Sequence, residues 1–365
     1  MELCTVSPDE EVDLELLRTR MKPLVESHPS VAYIYIVLMS GALIVGTGGN
    51  FLILTVIGAM RNLQRTGKVF IINMALADLC VAAVADPMCV LAVIKGEGWF
   101  DDKRWLCEGV ASMCLTACFC AFLSLSLASF NRYVFICHHN IYDKIFTTKS
   151  CICLCISAWV GAFFFEVPNF FGWGGHYFDA KSHQCIWDRT ASLSYTMFVS
   201  LVLIFSPLFL MLICYILIFR HIYVIKLNLH QFQDKDTDPK RMRKTWLETL
   251  RTSRMLLGIF VVFLVCWTPY AIVIIFDFYK KLSTEMHLFV TMLAHFHSSA
   301  NCIVYTITNR NFRTGVMRRF GCGSCGRASL SSESDTKSTE IAKISASRLT
   351  NVASSGSNRS NDSTD

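Results

Sequence analysis

The residues of this chain that could do chemistry are few, and most of them sit in apolar surroundings. Asp78 stands inside the run Asn73-Met-Ala-Leu-Ala-Asp78-Leu, and Arg132 closes another, SLSLASFNRYVFICHH, from Ser124 to His139. His295 and His297 share a third run two residues apart, so they point to different helix faces and do not make a metal pair. The 17 cysteines are numerous, yet Cys114, Cys118, Cys120, Cys151, Cys153 and Cys155 lie in apolar runs, where thiols are more often small hydrophobes than ligands. No nucleophile stands at catalytic spacing from a base, and no metal-ligand pattern appears, which argues against an enzyme.

Such groups need elements that hold them in lipid. With 53% hydrophobic and 17% charged residues over 365 positions, the chain reads as a membrane protein rather than as several soluble domains. Apolar residues fall in seven blocks: 31–60, 69–94, 106–136, 150–171, 193–223, 255–278 and 286–307. Each can cross a bilayer as a helix, since about 20 apolar residues suffice and an open strand would leave backbone groups unpaired. The fold class is therefore an all-α bundle of seven transmembrane helices. Its bounds are an N-terminal segment 1–30, a helical domain 31–308, an interfacial amphipathic helix 309–321 and a Ser/Thr-rich disordered tail 322–365.

Arg61, Arg65 and Lys68 follow the first block, and a second basic cluster fills 226–254, whereas the first 30 residues carry more acids than bases. By the positive-inside rule the N-terminus is extracellular and the C-terminus cytoplasmic. The start has no basic-then-apolar signal-peptide pattern, so the first span is expected to act as the targeting signal. The net charge of +6 does not imply a nucleic-acid partner. Much of the basic excess flanks the spans, where anionic lipid or an acidic protein explains it.

Twenty-five residues separate Cys107 from Arg132, so the third helix reaches from the outer face to the cytoplasmic one. Cys185, in the outer loop, is the natural partner of Cys107 because both face the oxidising side; Cys4 is the other outer candidate, and a free Cys185 is the alternative. A carboxylate within a span is costly, so Asp78 should face the bundle interior and meet a cation, water or another polar group. Gly48-Gly49-Asn50 offers close helix contact beside a polar side chain. Pro87, after Asp86, should kink its helix and help open a cavity, Pro207 stands near the middle of the fifth block, and Trp267 stands just before Pro269, where an aromatic could repack when a cavity above it fills. Cys322 and Cys325 are lipidation candidates, and the tail SLSSESDTKST is a phosphorylation candidate.

Asn50, Leu76-Ala77-Asp78, Cys107 with Cys185, Asn131-Arg132-Tyr133, Trp159, Pro207, Tyr215, Cys266-Trp267-Thr268-Pro269 and Asn301 to Tyr305 together resemble the rhodopsin-like G protein-coupled receptors. Asn-Arg-Tyr followed by Ile136-Cys137-His138, Tyr142-Asp143-Lys144, Pro168-Asn169 and the proline-free stretch Asn301-Cys302 look like the melatonin-receptor branch and its invertebrate relatives. The resemblance implies that Asn131, Arg132, Tyr133, Tyr215, Asn301 and Tyr305 serve activation and G protein coupling. It implies a sodium ion near Asp78 and Asn50, and a pocket with Cys114, Asn169, Arg189, Leu203, Trp267 and His295 near the ligand. It further implies an inhibitory-type G protein, and arrestin and a receptor kinase acting on the tail.

The departures bear on the ligand. Asn131 replaces the usual acid before the arginine, and Cys302 replaces the proline after Asn301. The melatonin receptors' outer-loop glutamine is Arg189 here, and their fifth-helix histidine is Leu203. Cys114 stands where amine receptors carry an aspartate, and the seventh block has no lysine for a retinal Schiff base. The large aromatic share and small polar inventory favour a small, largely apolar ligand, and the resemblance implies melatonin or a related indole. The rival within the fold is a receptor for a lipid or anionic ligand, related to invertebrate guidance receptors, with Arg189 facing the anion. A transporter would show inverted repeats and interrupted helices, and neither is visible.

Overall fold

Lipid offers the backbone no hydrogen-bond partners, so an apolar chain crosses it most economically as helices whose ladders are complete within each segment. The computed structural model describes residues 22–59, 65–231, 239–279 and 281–319. Among them, six helices are long and apolar enough to span a membrane: Pro29–Ala59, Thr66–Lys95, Asp101–Cys137, Thr148–Asn169, Leu193–Val224 and Ser253–Phe276. The seventh, Thr284–Thr308, is as long but less apolar. Its buried face carries His287, Thr291, His295, His297, Ser298, Ser299 and Asn301, so it is polar where it meets other helices rather than where it meets lipid.

The third span is the axis of the bundle. Its central stretch is 67% buried, against 28% for the first and fourth spans. Those outer spans leave Ile34, Val37, Ile44 and Phe51, and Ile152, Ile156, Phe163 and Phe164, exposed as an apolar rim suited to lipid. Trp159 donates to Asn73 Oδ1 at 3.0 Å, and Asn73 Nδ2 donates to Ser124 Oγ at 2.7 Å, which ties the second, third and fourth spans together.

Prolines are accommodated by widening the helix. A π turn, Val81–Ala85, precedes Pro87, and another, Val199–Phe205, precedes Pro207. A proline ring clashes with the carbonyl four residues earlier, here Ala83 and Leu203, and a wider turn moves that carbonyl away. Leu203 therefore lies in the π segment, buried. Pro269 sits within the continuous helix Pro239–Phe276.

Two stretches differ from the sequence reading. Leu24–Ser27 is a short helix and the first span starts at Pro29. Leu24 is buried in an apolar cluster with Tyr35, Met39, Val93 and Leu288, so the N-terminal segment 1–30, whose polar and acidic composition predicts disorder, is ordered over its last residues. The stretch 171–192, expected only as a loop, carries the hairpin β1 (His176–Asp179) and β2 (Gln184–Trp187), paired antiparallel with Phe178 opposite Cys185. The fifth and sixth helices continue beyond their spans, to Gln231 and from Pro239, and a helix Arg310–Arg319 follows the seventh, with Phe312 packed against Tyr305. Cys322, Cys325, Cys4 and the Ser/Thr-rich tail lie outside the described residues.

Gly49 lets the first span close on the seventh, because a Cβ there would run into Cys302 Sγ. Gly48 faces open space. Gly49→Leu should therefore lower the thermal midpoint of the purified protein by an amount equivalent to about 1–3 kcal/mol, while Gly48→Ala leaves it close to wild type.

Candidate functional site

The disulfide end of the bundle holds a cavity beneath the hairpin. Cys107 and Cys185 are bonded with their Cα atoms 5.1 Å apart, so β2 is pinned to the start of the third span. The cavity holds about 580 Å³ of unoccupied space, its open mouth included, and Cys114, Cys118, Trp187, Trp267, Tyr270 and His295 are among its lining residues. Trp187 Nε1 donates to Tyr270 OH at 3.0 Å, which fixes the roof to the sixth span. Trp267, at the floor, packs edge-on to Phe122 and against His297. His295 shares a 2.8 Å hydrogen bond from Nδ1 with Asp86 Oδ1.

Of the six residues expected at the ligand, Cys114, Trp267 and His295 line this cavity, whereas Asn169, Arg189 and Leu203 do not. Asn169 is buried and spent on structure. Its Nδ2 donates to Tyr195 OH at 2.9 Å and Glu166 Oε2 at 3.0 Å, and its Oδ1 accepts from Gly175 N at 3.1 Å. Glu166 also pairs with His176, so this network anchors β1 to the end of the fourth span.

Arg189 lines a smaller neighbouring cavity with Tyr177, Asp179 and His287. Its Nη1 donates to the Val273 carbonyl at 3.2 Å and its Nη2 to His287 Nδ1 at 3.2 Å, while His287 Nε2 donates to Asp277 Oδ2 at 2.8 Å. Burial alone would raise the Asp277 carboxyl, but the Lys281 and Leu282 amides and His287 outweigh it and hold it below the usual carboxylate range. The arrangement clamps the loop after β2 to the junction of the sixth and seventh helices.

His183, in the hairpin turn, is held below the usual histidine range by burial, against an opposing pull from Asp179. The folded chain then binds fewer protons there than the unfolded chain, so this stabilisation is present above the ordinary histidine value and is lost as pH falls. The thermal midpoint of wild type should fall from about pH 7.5 to about pH 5.5 more steeply than that of His183→Asn. Asparagine tolerates the positive φ of 46° at this position.

Below Trp267 lies a polar core. Asn50 Nδ2 donates to the Gly46 and Ser298 carbonyls at 2.9 Å each, and Asn301 Nδ2 donates to Asp78 Oδ2 at 2.8 Å. His297 Nε2 stands 3.6 Å from Asp78 Oδ1. Asp78 Oδ1, Asn50 Oδ1 and Asn301 Oδ1 are buried without hydrogen-bond partners. One carboxylate oxygen and two amide oxygens left this way are of the hard oxygen type that a small cation takes as ligands.

At the opposite end, Arg132 is buried five residues before the third span ends at Cys137. The backbone of Gly67 lets it in, since a Cβ there would approach Nη2 to 2.7 Å. Asn131 turns away to donate to Tyr142 OH at 3.1 Å, and Tyr142 also bonds Thr66 at 2.8 Å, so the residue in place of the usual acid holds the next turn of chain rather than the arginine. Tyr215 accepts from Ser129 Oγ at 3.4 Å, and the buried hydroxyl of Tyr305 has no hydrogen-bond partner. Tyr133 bonds His138 at the bundle edge.

The arrangement of seven helices with the third at the centre, a hairpin stapled over a cavity and an arginine at the far end matches a known family. Residues 49–305 match the model of the 7 transmembrane receptor (rhodopsin family). The chain belongs to that family of receptors. Its helices superpose on squid rhodopsin with a TM-score of 0.70 at 19% identity, covering 85% of this chain and 91% of that one. The receptor is 27% identical to melatonin receptor type 1C of Xenopus laevis over 284 residues, 76% of its own length and 65% of that protein's. It is 30% identical to melatonin receptor type 1B of Mus musculus over 271 residues, 73% of its own length and 71% of that protein's. It is thus a multi-pass plasma-membrane receptor of the melatonin-receptor-like branch, in a family of receptors rather than enzymes.

Several pairings around the receptor's site were not visible in its sequence. Asp86 with His295, Glu166 with His176, and Asp277 with His287 are carboxylate–histidine pairs joining segments up to 209 residues apart. A hint was available for the first pair, because both members interrupt apolar runs. Tyr142 as the partner of Asn131, and Gly67 as the door for Arg132, had no local signature at all.

Proposed function

We propose that this receptor binds a small ligand of the melatonin or related indole type from the extracellular side and signals through an inhibitory-type G protein. The observation that carries the reading is the roofed, mostly apolar cavity directly above Trp267, at the other end of the same helices that hold Arg132. The disulfide end then faces outward and the arginine end the cytoplasm, in keeping with the basic residues beside the latter. Filling the cavity would repack Trp267 and shift an existing equilibrium towards a form with the sixth helix swung out and Arg132 presented to the G protein. Arrestin and a receptor kinase would act on the Ser/Thr-rich tail. The test is melatonin titrated onto cells expressing the chain, with cyclic AMP accumulation read against untransfected cells. A saturable fall supports the reading, and no response at normal surface expression defeats melatonin as the ligand.

A lipid or anionic ligand held by Arg189 is less well supported, because that guanidinium is already committed to Val273 and His287. In the polar core, Asp78 with Asn50 and Asn301 would hold a sodium ion that favours the inactive arrangement of helices. Replacing sodium by a large organic cation should then raise agonist affinity in wild type, about 5-fold or more as for an ordinary allosteric effector, and should change nothing in Asp78→Asn.

A further inference from the structure

The ligand cavity holds a thiol together with the neighbours that activate one. Cys114 and His295 both line it, and Cys114 is half-buried there. The other thiols nearby are taken up: Cys118 lies buried one turn on, and Cys89 donates to Gln184 Oε1 at 3.2 Å. His295 Nδ1 is 2.8 Å from Oδ1 of the fully buried Asp86, so the ring is fixed and Nε2 is the nitrogen that bonds the Cys114 sulfur. Cys118 bonds the same sulfur from the adjacent turn. A thiol bonded to an imidazole that a carboxylate orients is an arrangement that makes sulfur a nucleophile. Its three members come from the third, seventh and second spans. Asp86 stands outside the cavity lining, so the reactive atom presented to a ligand is the sulfur. The same lining offers a partner for a carbonyl oxygen. Tyr270 OH accepts from Trp187 Nε1 at 3.0 Å, which leaves its own proton to donate.

We infer that the cavity captures electrophiles of the α,β-unsaturated carbonyl class covalently, with Cys114 attacking, His295 carrying the proton and Tyr270 holding the carbonyl oxygen. With the thiol proton on His295 Nε2, the sulfur attacks the β-carbon and an S–C bond forms. The π pair of the carbon–carbon double bond moves towards the α-carbon and the carbonyl oxygen as an enolate, to which Tyr270 donates a hydrogen bond. The proton on Nε2 then goes to the α-carbon. The sum is addition of S–H across one double bond, with no leaving group and no oxidant or reductant. A thioether is not hydrolysed, so the receptor stays occupied rather than turning over as an enzyme would. The inference rests on the cavity being where the ligand of the proposed function enters, and not on melatonin being that ligand.

The test treats the full-length protein in membranes with ethyl vinyl ketone, or with iodoacetamide, which alkylates a thiol by displacing iodide and needs no proton returned. Adducts are read by mass spectrometry of the Cys114 peptide, with the exposed Cys153 of the same chain as the reference for each reagent. Cys114 should take up the ketone at least about tenfold faster than Cys153, and His295→Gln should bring that ratio to within about twofold of one. No adduct on Cys114, a rate no higher than that of Cys153, or a preference that survives His295→Gln overturns the inference. Where His295→Gln fails to reach the surface, Tyr270→Phe decides. A fall of about threefold or more in the ketone rate relative to the iodoacetamide rate supports the proposal, and an equal change in both overturns it. The labelling needs neither agonist nor G protein, so a silent cyclic AMP assay counts against melatonin and an unlabelled Cys114 against the covalent site.

Discussion

Arg132→Ala is expected to abolish G protein activation while surface expression stays near wild type. The guanidinium is buried between the second, third and sixth helices, against Gly67, and a cavity lined by Gly67, Asn131, Arg132, Met255 and Leu256 marks where the sixth helix meets it. Truncation to alanine removes the buried stem that packs against Gly67 and Phe135 together with the charge that outward movement of the sixth helix would uncover. Agonist-stimulated nucleotide exchange should therefore fall by more than about tenfold, which exceeds what a change in expression alone produces. Gly67→Ala is the informative companion. Its Cβ would displace the guanidinium rather than delete it, so exchange should change with the arginine still present. Unchanged signalling in Arg132→Ala would remove the residue from its assigned role.

Cys185→Ser should be the second large effect. The bond between Cys107 and Cys185 closes 78 residues and is the covalent link between β2 and the bundle. Gln184, Ile186 and Trp187, which flank it on β2, form the roof of the cavity. Without the bond, the roof is held by Trp187 to Tyr270, by Lys181 to the Leu282 carbonyl and by the Arg189 clamp. Those bonds can break one at a time, so the loop must be ordered at the moment of binding, and ligand affinity should drop by about tenfold or more. Radioligand saturation on intact cells, with surface protein quantified in parallel, separates lost affinity from lost expression. Cys107→Ser should reproduce the result, and the double variant should add nothing to either single change.

The sequence disclosed the elements that depend on composition over many residues. All seven spans were legible as apolar blocks because lipid demands such stretches, and Cys107 and Arg132 were placed at opposite ends of one of them by length alone. The seventh is the least apolar, and the structure buries its polar residues on one face. What stayed hidden depends on pairing across the bundle. Asp86 and His295 are 209 residues apart, and nothing local says that they meet. The family resemblance implies Asn169 and Leu203 beside the ligand. Here Asn169 is saturated by Glu166, Tyr195 and Gly175, and Leu203 is taken up by the widened turn that makes room for Pro207. The two π turns were missed for a related reason, since a proline predicts a perturbed helix but not the number of residues over which the perturbation is spread.

The claim on which the account rests is that engagement at the Arg132 end and movement of the sixth helix are one event. It is tested most directly by a distance. Spin labels carried on non-cysteine side chains at the exposed positions Lys149 and Arg254 would report the separation between the start of the fourth span and the sixth helix. On adding nucleotide-free inhibitory-type G protein to the reconstituted receptor, the distance distribution should shift to longer values, and the Arg132→Ala protein should keep the short one. A distribution that stays unchanged in the wild-type protein, although the G protein is bound, would contradict the account.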